Sequence, residues 1–285
     1  MKVPLKQLFV SIAFIGLAVL LYYAPRGYPG VKAKAEDGQQ QQQQSGGIET
    51  QIADVKKQLG ADKTQKINQF EQQLSTANTP TAKIAALDSL TTEWDKQLRP
   101  FIAAHYSFEK SEIINTFAAW FETGNRFFAL TGIIPPDKQD ERSAVFSQAG
   151  EAFDRALAIN PNNTIARTRA AICKVEGSPD PMQGILTLRE LVKQDTTNLE
   201  AQLNLGMFSL KTTQFDKAEK RFRTVIALDP DYKDGYWYLA GALEGQNRID
   251  DAIRYYKEYI KRNKENSAEN QEIEEYISKL KSKKN

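Results

Sequence analysis

The stretch that decides the fold is LEAQLNLGMFSLKTTQFDKAEKRFRTVIALDP, Leu199 to Pro230, read against KDGYWYLAGALEGQNRIDDAIRYYKEYIKRNK, Lys233 to Lys264. Set start against start, Leu205 falls on Leu239, Phe215 on Ile249, Ala218 on Ala252, Phe222 on Tyr256 and Ile226 on Ile260. A fixed period of this length marks a supersecondary unit that stacks on copies of itself. Within each copy the apolar residues recur every three or four positions, the spacing of a helix with one buried face. One period back, Ala218 maps to Gly184, Phe222 to Leu188 and Val225 to Leu191. A further step, one position longer, brings Ala149, Phe153 and Leu157 onto Gly184, Leu188 and Val192.

This pattern resembles the tetratricopeptide repeat, a helix-turn-helix with a period of about 34 residues that carries W-x2-L-G-x2-Y, A-x3-F and a closing proline. Leu205-Gly206 and Leu239-Ala240 stand at the L-G position. Ala218, Phe222 and Pro230 complete one repeat, and Ala149, Phe153 and Pro161 another. An earlier helix supplies Trp120, Gly124 and Phe127 at the matching spacing, with Thr123 in place of the leucine. The insertion TGIIPPDKQDER, Thr131 to Arg142, separates that helix from its partner. The resemblance covers Asn115 to Lys264 and implies an all-α solenoid of about four helical hairpins. Small residues at Gly124, Gly206, Ala218, Ala240 and Ala252 then let paired helices approach while aromatic rings fill the space between them.

The flanks extend this reading. SAENQEIEEYISKLKSKKN, Ser267 to Asn285, places Ile273, Ile277 and Leu280 on one face, with acids at its start and lysines at its end. That distribution suits the helix dipole and predicts a capping helix within residues 265–285. Upstream, Ile48, Ile52, Val55 and Leu59 form one helical stripe, and Ile67, Phe70 and Leu74 another. Ile84, Leu87, Leu90 or Thr91, Trp94 and Leu98 form a third, and Ala104 and Phe108 give a worn A-x3-F. Residues 48–114 are therefore expected to be a helical region with a degenerate repeat. In EGSPDPMQGIL, Glu176 to Leu186, Asp180 is expected to cap a helix that starts at Pro181, with Gln183 as capping-box partner. The PMQGI run also resembles envelope-associated bacterial repeat proteins.

At the N-terminus Lys2 and Lys6 precede an uncharged run from Leu8 to Ala24, closed by Tyr22 and Tyr23. As a helix this run would span roughly 25 Å. That is short for a membrane span and long for the core of a signal peptide. Small residues suited to cleavage occur only at Ala33-Lys34-Ala35, so a retained single-pass anchor over residues 1–25 is favoured over a cleaved signal. The short basic tail favours the bulk of the chain lying outside the cytoplasm, in a periplasm-like space. Residues 26–47, ending in DGQQQQQQSGG, carry nothing to bury and read as a flexible tether.

Composition narrows the chemistry. A formal charge of +2 gives a nucleic-acid partner no bulk electrostatic support. One cysteine, Cys173, and one histidine, His105, exclude an internal disulfide and a multi-cysteine or His/Cys metal cluster. No phosphate loop, nucleophile elbow, zincin or dinucleotide signature occurs. Adjacent acids such as Asp250-Asp251 and Glu274-Glu275 diverge on a helix. The expectation is a non-catalytic protein without cofactor.

The resemblance implies a concave face built from the first helix of each hairpin, open to a peptide or helix of a protein partner. It places Phe121 and Asn125, Arg169 and Cys173, Leu203 and Met207, and Trp237 and Gly241 on that face, with Asn204 and Tyr238 adjacent. Asn125, Arg169, Leu203, Asn204, Met207, Trp237 and Tyr238 are the expected partner-binding residues. Only Asn125 and Arg169 suit the carboxylate clamp with which some relatives grip chaperone C-termini, so a chaperone clamp is not expected. The mixture of Leu, Met, Phe and Trp suits an apolar or amphipathic segment. The reading that follows is a membrane-tethered scaffold, and the alternative is a component that assembles with copies of itself through its repeats.

Overall fold

The computed structural model describes residues 47–284 except positions 136, 179 and 265. The expected anchor, tether and glutamine run lie outside the described residues. Thirteen α-helices and no strand occur among those residues, and none of the helices is long and apolar enough to cross a membrane. The chain divides into two compact units, one ending at Pro181 and the other beginning at Met182.

The first unit holds α1 (Ile48–Gln58), α2 (Ala61–Thr76), α3 (Pro80–Lys96), α4 (Pro100–Ile114), α5 (Phe117–Leu130), α6 (Gln139–Ile159) and α7 (Thr164–Gly177). Ile52, Ile67, Leu87, Leu90, Trp94, Ile102, Ala103 and Tyr106 make one core, with Ile48, Val55, Leu59, Phe70 and Leu74 packed around it. The three upstream stripes thus meet each other, with one correction. Leu98 does not continue the third stripe: α3 ends at Lys96, and Leu98 is 82% exposed with a left-handed φ of 55°. Pro100 opens α4 and pushes the residue before it out of the helical region, so the chain must turn just there.

The two helices around the worn A-x3-F, α3 and α4, pack against each other. Ala104 is fully buried, and Phe108 meets Trp120 edge-on with ring centroids 5.1 Å apart. Thr123, which stands where other repeats have leucine, is buried with two serines of α4. Its Oγ1 lies 2.8 Å from Ser107 Oγ and 2.9 Å from Ser111 Oγ. A hydroxyl cluster replaces apolar packing at that position, and every member has a partner, as burial of polar groups requires. Of the insertion, Gln139–Arg142 belongs to the first turn of α6, which runs for 21 residues.

The second unit holds α8 (Met182–Gln194), α9 (Leu199–Lys211), α10 (Phe215–Leu228), α11 (Lys233–Gly245), α12 (Ile249–Arg262) and α13 (Ser267–Lys284). α8 begins at Met182 rather than at Pro181, a difference within the ordinary fraying of helix ends. The core joins Ala218, Phe222, Leu239, Ala240, Ala252 and Tyr256 to Ile273, Ile277 and Leu280 of α13. The last helix therefore caps the stack with the face expected of it, and Tyr276 donates to Glu244 across 2.6 Å.

Repeat chemistry recurs at the turns. Thr213 and Asn247 have φ of 56° and 59°, and each stands just ahead of the second helix of its hairpin. Asp195 accepts the amide of Thr197, and Asp229, at the same place one repeat later, accepts that of Asp231. These side-chain turns orient the chain between hairpins. Close approach recurs as well. A Cβ added to Gly206 would lie 2.7 Å from the Phe222 ring, and one added to Gly124 would lie 2.7 Å from the Phe153 ring.

Candidate partner-binding faces

In the first unit α5 and α7 are neighbours, which brings Asn125 and Arg169 together. The Arg169 guanidinium donates to the Asn125 side-chain carbonyl and lies 5.6 Å from the centroid of Phe128. Two residues far apart in sequence thus form one polar spot over an aromatic ring. Phe121 is half-buried, stacked on Phe117 at 5.3 Å with ring planes 14° apart. It also leans on Phe153 at 5.9 Å. Cys173 departs from expectation. It is 2% exposed and sits where a Cβ on Gly150 would come within 3.2 Å of its own Cβ. The close approach of α6 and α7 closes that position to a partner.

In the second unit α9 and α11 are neighbours, and the repeat register pairs Leu203 with Trp237 and Asn204 with Tyr238. Leu203, Met207, Trp237 and Tyr238 are half-buried, each packed on the core by one side and open on the other. Trp237 meets Tyr256 at 4.9 Å and Tyr259 at 5.5 Å. Tyr238 stacks on Phe222 at 5.4 Å, with planes 25° apart. These rings are held from below, so little side-chain freedom is left to lose when something covers them. Asn204 donates to the carbonyl of Glu200 on its own helix across 2.8 Å. Gly241, one repeat after Met207, is buried and is not an open position.

A polar border runs beside this shelf. Lys233 donates to Asn263 across 2.7 Å, and Asn263 donates to Glu269 across 2.8 Å. The Tyr259 hydroxyl donates to the same carboxylate across 2.8 Å. Burial, with the Glu269 charge nearby, raises the Tyr259 hydroxyl above its ordinary value. Burial likewise raises the Asp234 carboxyl, opposed by Lys233 and reinforced by Glu269. Tyr238 is raised by burial and by Asp234, and Tyr232 is pushed up to about 12, again by burial first and Asp234 second. Asp234 is not one of the residues the sequence singles out. Its signal is its place one helical turn before Tyr238, on the same face of α11.

His105, the single histidine, pairs with Glu109 one helical turn away at 3.0 Å and faces partly into solvent. Among the described residues no group of three or more His, Cys, Asp and Glu is placed to hold a metal ion. The arrangement on α9 and α11 offers an apolar shelf with a half-buried carboxylate at its edge.

Comparison with known proteins agrees with the helical-hairpin fold. Residues 203–268 match the tetratricopeptide repeat family. No curated protein matches the sequence at a significant level. Among solved structures, PilW, described as a widely conserved type IV pilus biogenesis factor, shares 20% identity at a TM-score of 0.54. The alignment covers 70% of this chain and 86% of that one. The C-terminal part of a tetratricopeptide repeat-containing protein from Cytophaga hutchinsonii shares 16% identity at 0.51, covering 81% and 87%. MamA from Desulfovibrio magneticus RS-1 shares 14% at 0.49, covering 65% and 97%. At these identities the likeness to PilW and to the Cytophaga hutchinsonii protein is one of fold: helical hairpins of tetratricopeptide type.

Proposed function

We propose that this protein is a non-catalytic, membrane-tethered scaffold that binds a protein segment on its first-helix faces. The observation that carries the reading is the row Leu203, Met207, Trp237 and Tyr238, half-buried on two adjacent helices in repeat register. Side chains of this kind, anchored on one side and open on the other, are typical of interface centres. An amphipathic segment fits best, its apolar side on the shelf and a lysine or arginine beside Asp234. Asn125 and Arg169 offer a second, polar contact on the first unit. The tether and the placement outside the cytoplasm rest on the sequence alone, through the Leu8–Ala24 run and the glutamine-glycine stretch after it.

The test uses the full-length chain in bacterial membranes with a photo-reactive residue at position 204 or, as a control, at position 257 on α12. A discrete adduct from position 204 that is absent from 257 and disappears on Trp237→Ala supports the shelf. Adducts from 257 alone, or a 204 adduct indifferent to Trp237→Ala, overturn it. An adduct of twice the chain mass would favour self-assembly instead.

A further inference from the structure

In the second unit α8, α9 and α10 border a cavity of about 330 Å³, lined by none of the shelf residues. Its apolar part is Ile185, Leu205 and Phe208, and its polar part contains Arg189, Lys217, Lys220 and Arg221 without any carboxylate. Lys217, Lys220, Arg221 and Thr224 share one face of α10 because they are three, four and seven positions apart.

None of these four cations forms an ion pair among the described residues. Glu219, the acid beside Lys220 on α10, is committed to Arg223 and Arg248. Arg221 is fixed in place by Gln202, to which it donates across 2.6 Å. Gln202 is 3% exposed and is itself held by the carbonyl of Thr196 at 3.0 Å. Burial, together with the neighbouring charge of Arg189, pushes the Arg221 guanidinium below its ordinary value. Arg221 is thus held in place by a buried amide, and the exposed Arg189 lines the same small cavity.

We propose that this cavity binds a phosphate-bearing ligand, with the phosphate between Arg189, Lys220 and Arg221 and a short apolar portion on Ile185, Leu205 and Phe208. The cavity is at the small end of ligand sites, which favours a compact tetrahedral anion over a run of acidic side chains. A soluble phosphate ester and a phospholipid headgroup share this chemistry.

The experiment titrates the full chain, in neutral detergent at low salt, with inorganic phosphate, glycerol phosphate, a short-chain phosphatidic acid and a short-chain phosphatidylcholine. Saturable binding of phosphate, glycerol phosphate or phosphatidic acid is expected, weakened about tenfold by Arg189→Gln and again by Lys220→Gln. Lys257→Gln, on α12, should leave it unchanged. Equal affinity for glycerol phosphate and phosphatidic acid identifies a soluble ligand, and binding of phosphatidic acid without the soluble probes identifies a headgroup. Both outcomes support the site. Absence of saturable binding to all three, or binding unaltered in the Arg189→Gln/Lys220→Gln double variant, overturns it. So does binding of phosphatidylcholine alone, or of a polyglutamate peptide in preference to every phosphate probe. Lys220 has no ion-pair partner among the described residues, so its substitution tests the ligand rather than the fold.

Discussion

The first and second units solve the same packing problem with different chemistry. Gly206 admits the ring of Phe222, and Gly124 admits that of Phe153. The segment between glycine and ring nearly doubles from the second unit to the first, and the contact is kept. Beside the glycine, however, the units part. Leu205 is a buried aliphatic side chain, whereas Thr123 is buried with Ser107 and Ser111. These two hairpins therefore keep the close approach of glycine and ring, while the residue before the glycine differs between them.

The sharpest way to break this comparison is to remove the rings. Phe222→Ala and Phe153→Ala should each cost about 3–5 kcal/mol, since both side chains are fully buried. Amide exchange should rise across α9–α12 for the first and across α5–α7 for the second. A cost below about 1 kcal/mol at Phe153 would show that the longer connection has loosened the contact.

Thr123→Val should come next, at about 1–3 kcal/mol, because it strands the Ser107 hydroxyl without a partner. Adding Ser107→Ala and Ser111→Ala should recover most of that loss if Thr123→Leu is made in the same chain. Failure of the triple variant to recover, measured by denaturant unfolding, would mean that the hydroxyl cluster does more than replace a leucine.

The smallest effects belong to the turns. Thr213 and Leu98 hold left-handed backbone conformations that glycine adopts without a steric cost. Thr213→Gly and Leu98→Gly should each raise stability by about 0.5–1 kcal/mol. Asn247→Gly should gain less, because asparagine tolerates the conformation. Equal gains at Thr213 and Asn247 would argue against that ranking.

The repeat register is legible because tetratricopeptide packing leaves its trace in residue size: Gly206, Ala218, Phe222 and Ile273 all fall where their spacing places them. Less visible are features set by contacts between distant segments. Leu98 continues the helical period in sequence, yet Pro100 stops the helix before it. Cys173 occupies the spacing of an open position, yet the approach of α6 at Gly150 covers it. Thr123 reads as a departure until Ser107 and Ser111 are beside it, and those serines lie in the most degenerate part of the pattern. Asp234 escapes notice because a single acid near a helix start reads as a dipole partner, and its place one turn before Tyr238 gains meaning only once both are seen half-buried. The repeat register puts Asn125 and Arg169 on one face, but their direct hydrogen bond is not legible there, since it depends on the approach of α5 and α7.

The segment that follows Leu130 opens a practical route. Gly132 and Ile133 are exposed, the latter at 69%, and this hairpin keeps its glycine-to-ring contact despite the added length. Loop-closure entropy grows only with the logarithm of length, so a doubled connection costs about 0.6 kcal/mol. This connection is thus a natural insertion port. An epitope or a small fluorescent domain grafted between residues 132 and 135 should leave both units folded. It would report the protein's whereabouts without altering any residue of the shelf, the basic cavity or the capping helix.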